Sequence, residues 1–289
     1  MASLKEIKGR INSITSTQKI TSAMQMVSSA KLHRTQSIAE QTLAYSEQLE
    51  EILQSLLEAK PEIQTSFSPH EDVKNLAIVV CASNTGLCGS FNSNVWKALE
   101  KLIHSYESKG MNLMFYPVGK KIAKELAKAG YAYQDDFIQI TDKLTYAKAA
   151  EFSVHLQNLY LTNKVDQIDL LYHHFHNVAR QTITHKVYLP FMVELKEETE
   201  KSDFFYDYIL EPSVEDLQQA LFPKMLDLQI YTTFLDTLTA EHAARMTAMQ
   251  TANDNANDLL QELTLQYNKT RQQTITNELL DIMGGSINS

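Results

Sequence analysis

The sequence predicts an α/β protein with a long antiparallel coiled coil. The two terminal segments form a shaft, and a central Rossmann-like, mostly parallel sheet lies between them. Three observations predict this. Residues 3–57 hold one glycine, Gly9, and no proline. Residues 224–283 hold neither, up to Gly284-Gly285. Between them, apolar runs alternate with amphipathic stretches, the pattern of strands joined by right-handed helical crossovers. At 1.5 Å per residue the terminal segments are rods of roughly 80–90 Å, too long to persist unpaired in water. The expected layout is an amino-terminal shaft helix over 1–60, a central α/β domain over 72–205, and a carboxy-terminal shaft helix over 212–285 that pairs with 1–60. A shaft points to mechanical work rather than to a pocket.

In the first helix Leu4, Ile7, Ile11 and Ile14 recur at spacings of three and four, a coiled-coil stripe. The stripe then changes character, because residues 20–30 (Ile-Thr-Ser-Ala-Met-Gln-Met-Val-Ser-Ser-Ala) carry no charge. A helix uncharged all round is enclosed on several sides, and one neighbouring helix covers only one. Nearby Lys19, Lys31, His33 and Arg34 read as a solvated face.

Pro61 and residues 66–72 break the pattern into a linker. Residues 76–81 (Leu-Ala-Ile-Val-Val-Cys) form a continuous apolar run, as in a buried parallel strand. A turn over 84–92 leads to a helix over 95–108, a strand over 113–118, and helices over 119–128 and 146–161. Strands follow over 168–176 and 182–189. The loop 194–203 is acidic, and Glu211-Pro212 marks the return to helix. Pro223 is expected in the first turn of the last helix, where a missing N–H costs nothing. Its stripe runs Leu228, Tyr231, Leu235, Leu238, His242, Arg245, Met249, Ala252, Ala256, Leu260, Leu263 and Tyr267. The side chains turn small and polar between 243 and 256, a segment expected to face residues 20–30.

Composition removes several classes. The chain has 289 residues, 44% hydrophobic and 21% charged, as in a folded globular protein. A net charge of −9 argues against nucleic acid as the main partner. Two cysteines, Cys81 and Cys88, lack CxxC spacing and make neither a zinc site nor a disulfide framework. No apolar run reaches membrane-span length and no signal-peptide stretch opens the chain. Any membrane association is therefore expected to come through a partner.

Candidate chemistry is thin. Gly86-Leu-Cys-Gly-Ser-Phe-Asn occupies the place of a phosphate loop, but lacks both the closing Lys-Ser/Thr of a P-loop and the three spaced glycines of a dinucleotide fingerprint. Gly86, Cys88 and Gly89 read as a structural turn, and Cys88 as a packed thiol. In Tyr172-His-His-Phe-His176, His174 and His176 share one strand face and His173 the other. With no carboxylate or cysteine placed by sequence to join them, no metal is expected. Residues 271–276 read as a solvated turn, or Arg271 and Gln272 reach carboxylates or carbonyls of an enclosing partner, Arg offering a rigid fork of donors.

Several segments resemble the gamma subunit of F-type ATP synthase. Residues 18–27 (Gln-Lys-Ile-Thr-Ser-Ala-Met-Gln-Met-Val) with Ala30-Lys31-Leu32 resemble its amino-terminal motif. Residues 243–249 (Ala-Ala-Arg-Met-Thr-Ala-Met), Asn253-Asp254-Asn255, and residues 267–276 (Tyr-Asn-Lys-Thr-Arg-Gln-Gln-Thr-Ile-Thr) resemble its carboxy-terminal motifs. Gly86-Leu-Cys-Gly89, Phe91-Asn92, Tyr208 and Glu211-Pro212 resemble its central domain. The likeness runs through the whole chain in order. One departure stands out: Asn84-Thr85 replace the Asp-Arg pair usual before the glycine turn, so an ionic contact implied there loses both charges.

The resemblance implies a central-stalk rotor that couples ion-driven c-ring rotation to conformational cycling of the catalytic beta subunits. The partners implied are the alpha3beta3 ring around the shaft, and the epsilon subunit and c-ring at the foot. Met24, Arg271, Gln272 and Thr276 become beta-subunit contacts; Tyr208 and Glu211 become foot contacts. No catalytic residue, cofactor or metal is implied, since the ATP sites lie on other subunits. The chain enters helix almost from Met1 with no organellar presequence, and lacks the extra central cysteines of chloroplast relatives. A bacterial origin follows as the expectation, on the cytoplasmic face of the plasma membrane. The competing reading is a nucleotide-binding α/β enzyme with coiled-coil dimerisation arms.

Overall fold

A computed structural model describes residues 3–59, 67–69, 73–191 and 213–287. It comprises two compact units, one of Ala30–Ala244 and one of Met1–Ser29 with Arg245–Ser289.

The larger unit is organised by a four-stranded sheet. In chain order its strands are β1 (Asn75–Cys81), β2 (Asn112–Val118), β3 (Gln167–Asn177) and β4 (Arg180–Leu189), in spatial order β2-β1-β3-β4. β1 pairs parallel with β2 and β3, and β4 closes the edge antiparallel to β3. Helices cover both faces, which is why 76–81 is apolar without alternation. Leu76, Ile78 and Val80 point to the face packed by α2 (Phe91–Glu107) and α3 (Lys120–Ala129), against Val95, Leu99, Ile103, Ile122 and Leu126. Ala77, Val79 and Cys81 point to the face packed by α4 (Tyr146–Leu161), against Phe152, Leu156 and Tyr160, with Leu226, Ile230 and Phe234 in the same core.

The terminal helices are α1 (Leu4–Ala59) and α5 (Val214–Ile287), of 56 and 74 residues. Within the larger unit, Leu49 and Leu53 of α1 pack with Phe222, Met225 and Leu228 of α5. Here the reading of Pro223 fails. α5 starts at Val214, and Pro223 lies inside it. Its start is set by Ser213, whose Oγ accepts from the Asp216 backbone N–H at 3.1 Å, a side-chain cap. Burial of Phe222 beside the proline offsets the hydrogen bond that proline cannot donate. Gly284-Gly285 does not end the helix either; it runs on to Ile287.

Several buried polar groups in this unit are paired. Asp169 on β3, fully enclosed, accepts from the Tyr106 hydroxyl at 2.5 Å and Gln167 Nε2 at 2.7 Å, and meets His185 Nε2 at 2.6 Å. Burial first, then the Asp169 carboxylate, pushes the Tyr106 phenol well above its usual range. Across the sheet, Tyr188 Oη and Ser153 Oγ lie 2.8 Å apart, and Gln157 Nε2 donates to Ser153 and to Asp227 on α5.

Candidate functional site

In an open α/β sheet, ligands sit beyond the strand carboxyl ends where the strand order reverses. In this sheet that point lies between β1 and β3, and the glycine turn follows β1 there. The protein's own side chains fill the place. Phe91 stacks on His173 with ring centroids 3.8 Å apart, and both are buried. Cys88, Phe91 and Ala240 of α5 form a small core with Phe175 and Ala244. Burial pushes the neighbouring Cys81 thiol up to about 12, so it stays protonated and inert.

The turn itself is held by polar side chains. Ser83 N–H donates to Asn92 Oδ1 at 3.1 Å, and Asn92 Nδ2 donates to Cys88 Sγ at 3.2 Å. Leu87 (φ 63°) and Gly89 (φ 60°) are both left-handed. Asn84 has its amide engaged within the unit. Its Oδ1 accepts from Lys120 N–H at 2.9 Å, and its Nδ2 donates to Asp142 at 2.7 Å. Gly119 is required where this region closes. Its φ is +118°, and an added Cβ would lie 2.2 Å from the Ala82 carbonyl oxygen.

The histidine strand divides by face as the period of two demands. His173 packs inward on Phe91, and burial lowers its pKa from 6.5 to about 4. His174 Nδ1 meets Asp236 Oδ2 of α5 at 2.6 Å, and the other oxygen of that carboxylate accepts from Phe175 N–H at 2.7 Å. Sequence spacing gave no hint of Asp236, which is brought in from 62 positions away. His176 Nε2 lies 2.9 Å from Thr182 Oγ1. Among the described residues, no three or more His, Cys, Asp or Glu side chains form a metal-holding group.

The smaller unit carries a different surface. Its two helical segments are joined by hydrogen bonds between uncharged side chains. Gln18 Nε2 donates to Asn257 Oδ1 at 2.5 Å, Thr21 Oγ1 donates to Asn253 Oδ1, and Gln25 Nε2 donates to Gln250 Oε1. Numbers rise on α1 as they fall on α5, so the pairing is antiparallel. Carried along both helices at equal rise, this register sets Leu4 opposite about residue 270. The last four or so turns of α5 therefore extend past the first residue of α1.

Those last turns are apolar on the outside. Ile275, Leu279 and Ile282 follow Arg271 at helical spacing, and Leu280 and Met283 follow Gln272 and Thr276. Ile282 is 69% exposed and Leu280 60%, while Leu265, one turn before Lys269, is 72% exposed. On α1, the uncharged stretch leaves Met26 66% and Ile20 61% exposed. Met24 is half-buried, and Arg271, Gln272 and Thr276 are exposed. Large apolar side chains exposed in series along a helix mark a surface that another molecule covers. Tyr208 and Glu211 lie outside the described residues. Among the described residues, no helix is long and apolar enough to cross a membrane.

Comparison with known proteins gives one family. Residues 3–287 match the model of the family described as ATP synthase. A protein of Parabacteroides distasonis named ATP synthase gamma chain is 56% identical over 99% of both chains. The protein of that name from Phocaeicola vulgatus is 48% identical over 99% of this chain and all of its own. Among solved structures, the rotor of Euglena gracilis mitochondrial ATP synthase aligns with a TM-score of 0.62 at 20% identity, over 94% of this chain and 98% of that one. The central stalk of the Tetrahymena thermophila enzyme aligns with a TM-score of 0.56 at 20% identity, over 81% and 99%.

Proposed function

From the premise that this chain belongs to the ATP synthase gamma-chain family, we propose that its smaller unit turns inside a ring of three alpha and three beta subunits. In that reading it passes rotation between the membrane c-ring and the catalytic beta subunits and performs no bond chemistry itself. Epsilon and the c-ring hold its foot, where Tyr208 and Glu211 are the contacts. The complex stands on the cytoplasmic face of a bacterial plasma membrane, and this chain reaches the membrane only through it.

One observation carries the proposal: α5 extends beyond α1 with Ile275, Leu279, Leu280, Ile282 and Met283 exposed. A single helix with that surface is not stable in water over four turns and needs a sleeve. The sleeve has to release it at every angle. Residues 20–30 suit that demand, because a desolvated ion pair made at one angle and broken at the next leaves an uncompensated charge costing about 3–5 kcal/mol. Met24, Arg271, Gln272 and Thr276 are the proposed beta contacts, the last three supplying directional polar bonds that define preferred angles. Asn84, already satisfied inside the chain, is left out of that set.

Co-expression with the cognate alpha and beta subunits tests the reading. The expected result is a complex with ATPase activity, and failure of alpha and beta to associate with the chain would sink it. A disulfide between Thr276→Cys and a cysteine on beta should stop turnover until reduced; full turnover in the locked state would leave only a static scaffold. The enzyme alternative requires stoichiometric binding of ATP or NAD to the isolated chain, and calorimetry is expected to find none, since the crevice where a nucleotide would lie is filled by Phe91, His173 and Ala240.

A further inference from the structure

We propose that the amide ladder of the smaller unit is a phase key. In this proposal Gln18, Thr21, Gln25, Gln250, Asn253 and Asn257 are positioning residues that fix the angular and axial setting of Arg271, Gln272 and Thr276 against α1. The inference rests on the reading of those three residues as beta contacts. An apolar seam does not supply such a setting. Hydrophobic burial is non-directional, and Ile7, Ile11 and Ile14 face an α5 stripe of Leu260, Leu263 and Tyr267 repeating at nearly the same interval. A slide of one helical turn, about 5.4 Å, would exchange one apolar pair for another and carry Arg271 with it.

The ladder makes that slide costly at both ends. Displaced one turn in one sense, Gln18 meets Leu260; displaced in the other, Asn257 meets Ile14. The middle rung is tied to its neighbour, because Asn253 accepts from Thr21 and donates to Gln25 Oε1 at 2.9 Å. Asn253 is 8% exposed, so a broken rung leaves a buried amide without its partner. Gln250 is steadied in turn, donating through Nε2 to Asp254 at 3.1 Å while its Oε1 accepts from Gln25. Polar residues at a helix seam specify register at some cost in stability, and these do so without a net charge on any rung.

The test uses the chain assembled with alpha and beta. A bead is attached through Val178→Cys at the exposed β3–β4 turn, the two native cysteines being buried. The combined variant Thr21→Val, Gln25→Leu, Gln250→Leu and Asn253→Leu should melt no lower than wild type as an isolated chain. In the complex its dwell-angle distribution should broaden about twofold, because a second register one helical turn away becomes accessible. Gln25→Glu with Gln250→Lys, which rebuilds one rung as an ion pair, should recover most of the wild-type width. Gln18→Ala with Asn257→Ala removes a single rung by truncation and should broaden the dwells by less, so a misfolded combined variant does not end the test. Wild-type dwell widths in either folded variant would overturn the proposal. Failure of the wild-type chain to assemble would instead count against the rotor reading beneath it.

Discussion

The two units use their side chains in opposite ways. In the larger unit a sheet is buried on both faces, buried groups such as Asp169 and Tyr188 are held in pairs, and the crevice at the strand ends is filled. In the smaller unit two helices meet through amides, and large apolar side chains face outward. Stability is concentrated in the first and unfinished surface in the second. The contrast teaches where to look for function in a chain without a pocket. The informative residues are those whose exposure makes no sense for an isolated protein.

The largest effect should come from the sheet core. Phe152 is fully buried against Phe137 and Phe234, so Phe152→Ala should cost about 3–5 kcal/mol in denaturant unfolding of the isolated chain. A loss below about 1 kcal/mol would break the contrast at its stable end.

Next comes acid. His173 has its pKa lowered from 6.5 to about 4 by burial, so between those values the unfolded chain binds the extra proton and the folded chain does not. Stability is then full above pH 6.5 and falls as the pH drops toward 4, by about 3 kcal/mol from this residue. His173→Gln should flatten that limb of the stability–pH curve, and an unchanged limb would remove His173 as its source.

Gly119→Ala should follow, at about 1–3 kcal/mol, because its Cβ would strike a backbone oxygen at a left-handed φ. A neutral substitution there would mean that the loop after β1 can move aside.

The smallest effect on stability marks the other unit. Arg271→Ala should shift the unfolding free energy by no more than about 0.5 kcal/mol, since the residue is exposed. In the assembled complex the same substitution should lower coupled turnover about tenfold, the loss of a hydrogen bond from a charged donor. Equal losses in stability and turnover would dissolve the distinction between the units.

Much of the larger unit was legible in the sequence because burial on both faces leaves a strong apolar signal. Residues 76–81 and 146–161 fall on β1 and α4, and strand-helix alternation gave the mostly parallel sheet. Helix limits were harder. Pro223 reads as a start by a local rule that the packing of Phe222 overrides, while the true start carries its own signal in the Ser-Val-Glu-Asp run of Ser213 and Asp216. Asp236 was invisible as the partner of His174, since nothing in a sequence places two residues 62 positions apart side by side. The amide ladder was half legible. The switch to small and polar side chains appeared in the α5 stripe, but repeats at three and four leave the register open. Residues 20–30 and 243–256 are expected to face each other, as Thr21–Asn253 and Gln25–Gln250 do, but nothing in the sequence singles out these side chains as the ones that set the register. The exposure of residues 271–283 needed the structure, since the same apolar stripe would look identical on a buried helix.

The continuous helix of α5 between Asn257 and Arg271 has a consequence for how this chain can vary over generations. One residue inserted between Asn257 and Arg271 would turn everything after it by about 100° and push it on by about 1.5 Å. Seven inserted residues, nearly two full turns, would restore the heading to within about 20° yet displace the end by about 10 Å. Substitutions along this stretch leave that setting in place, whereas any change in its length alters it. Lineages should therefore differ here in which residues they carry and agree in how many.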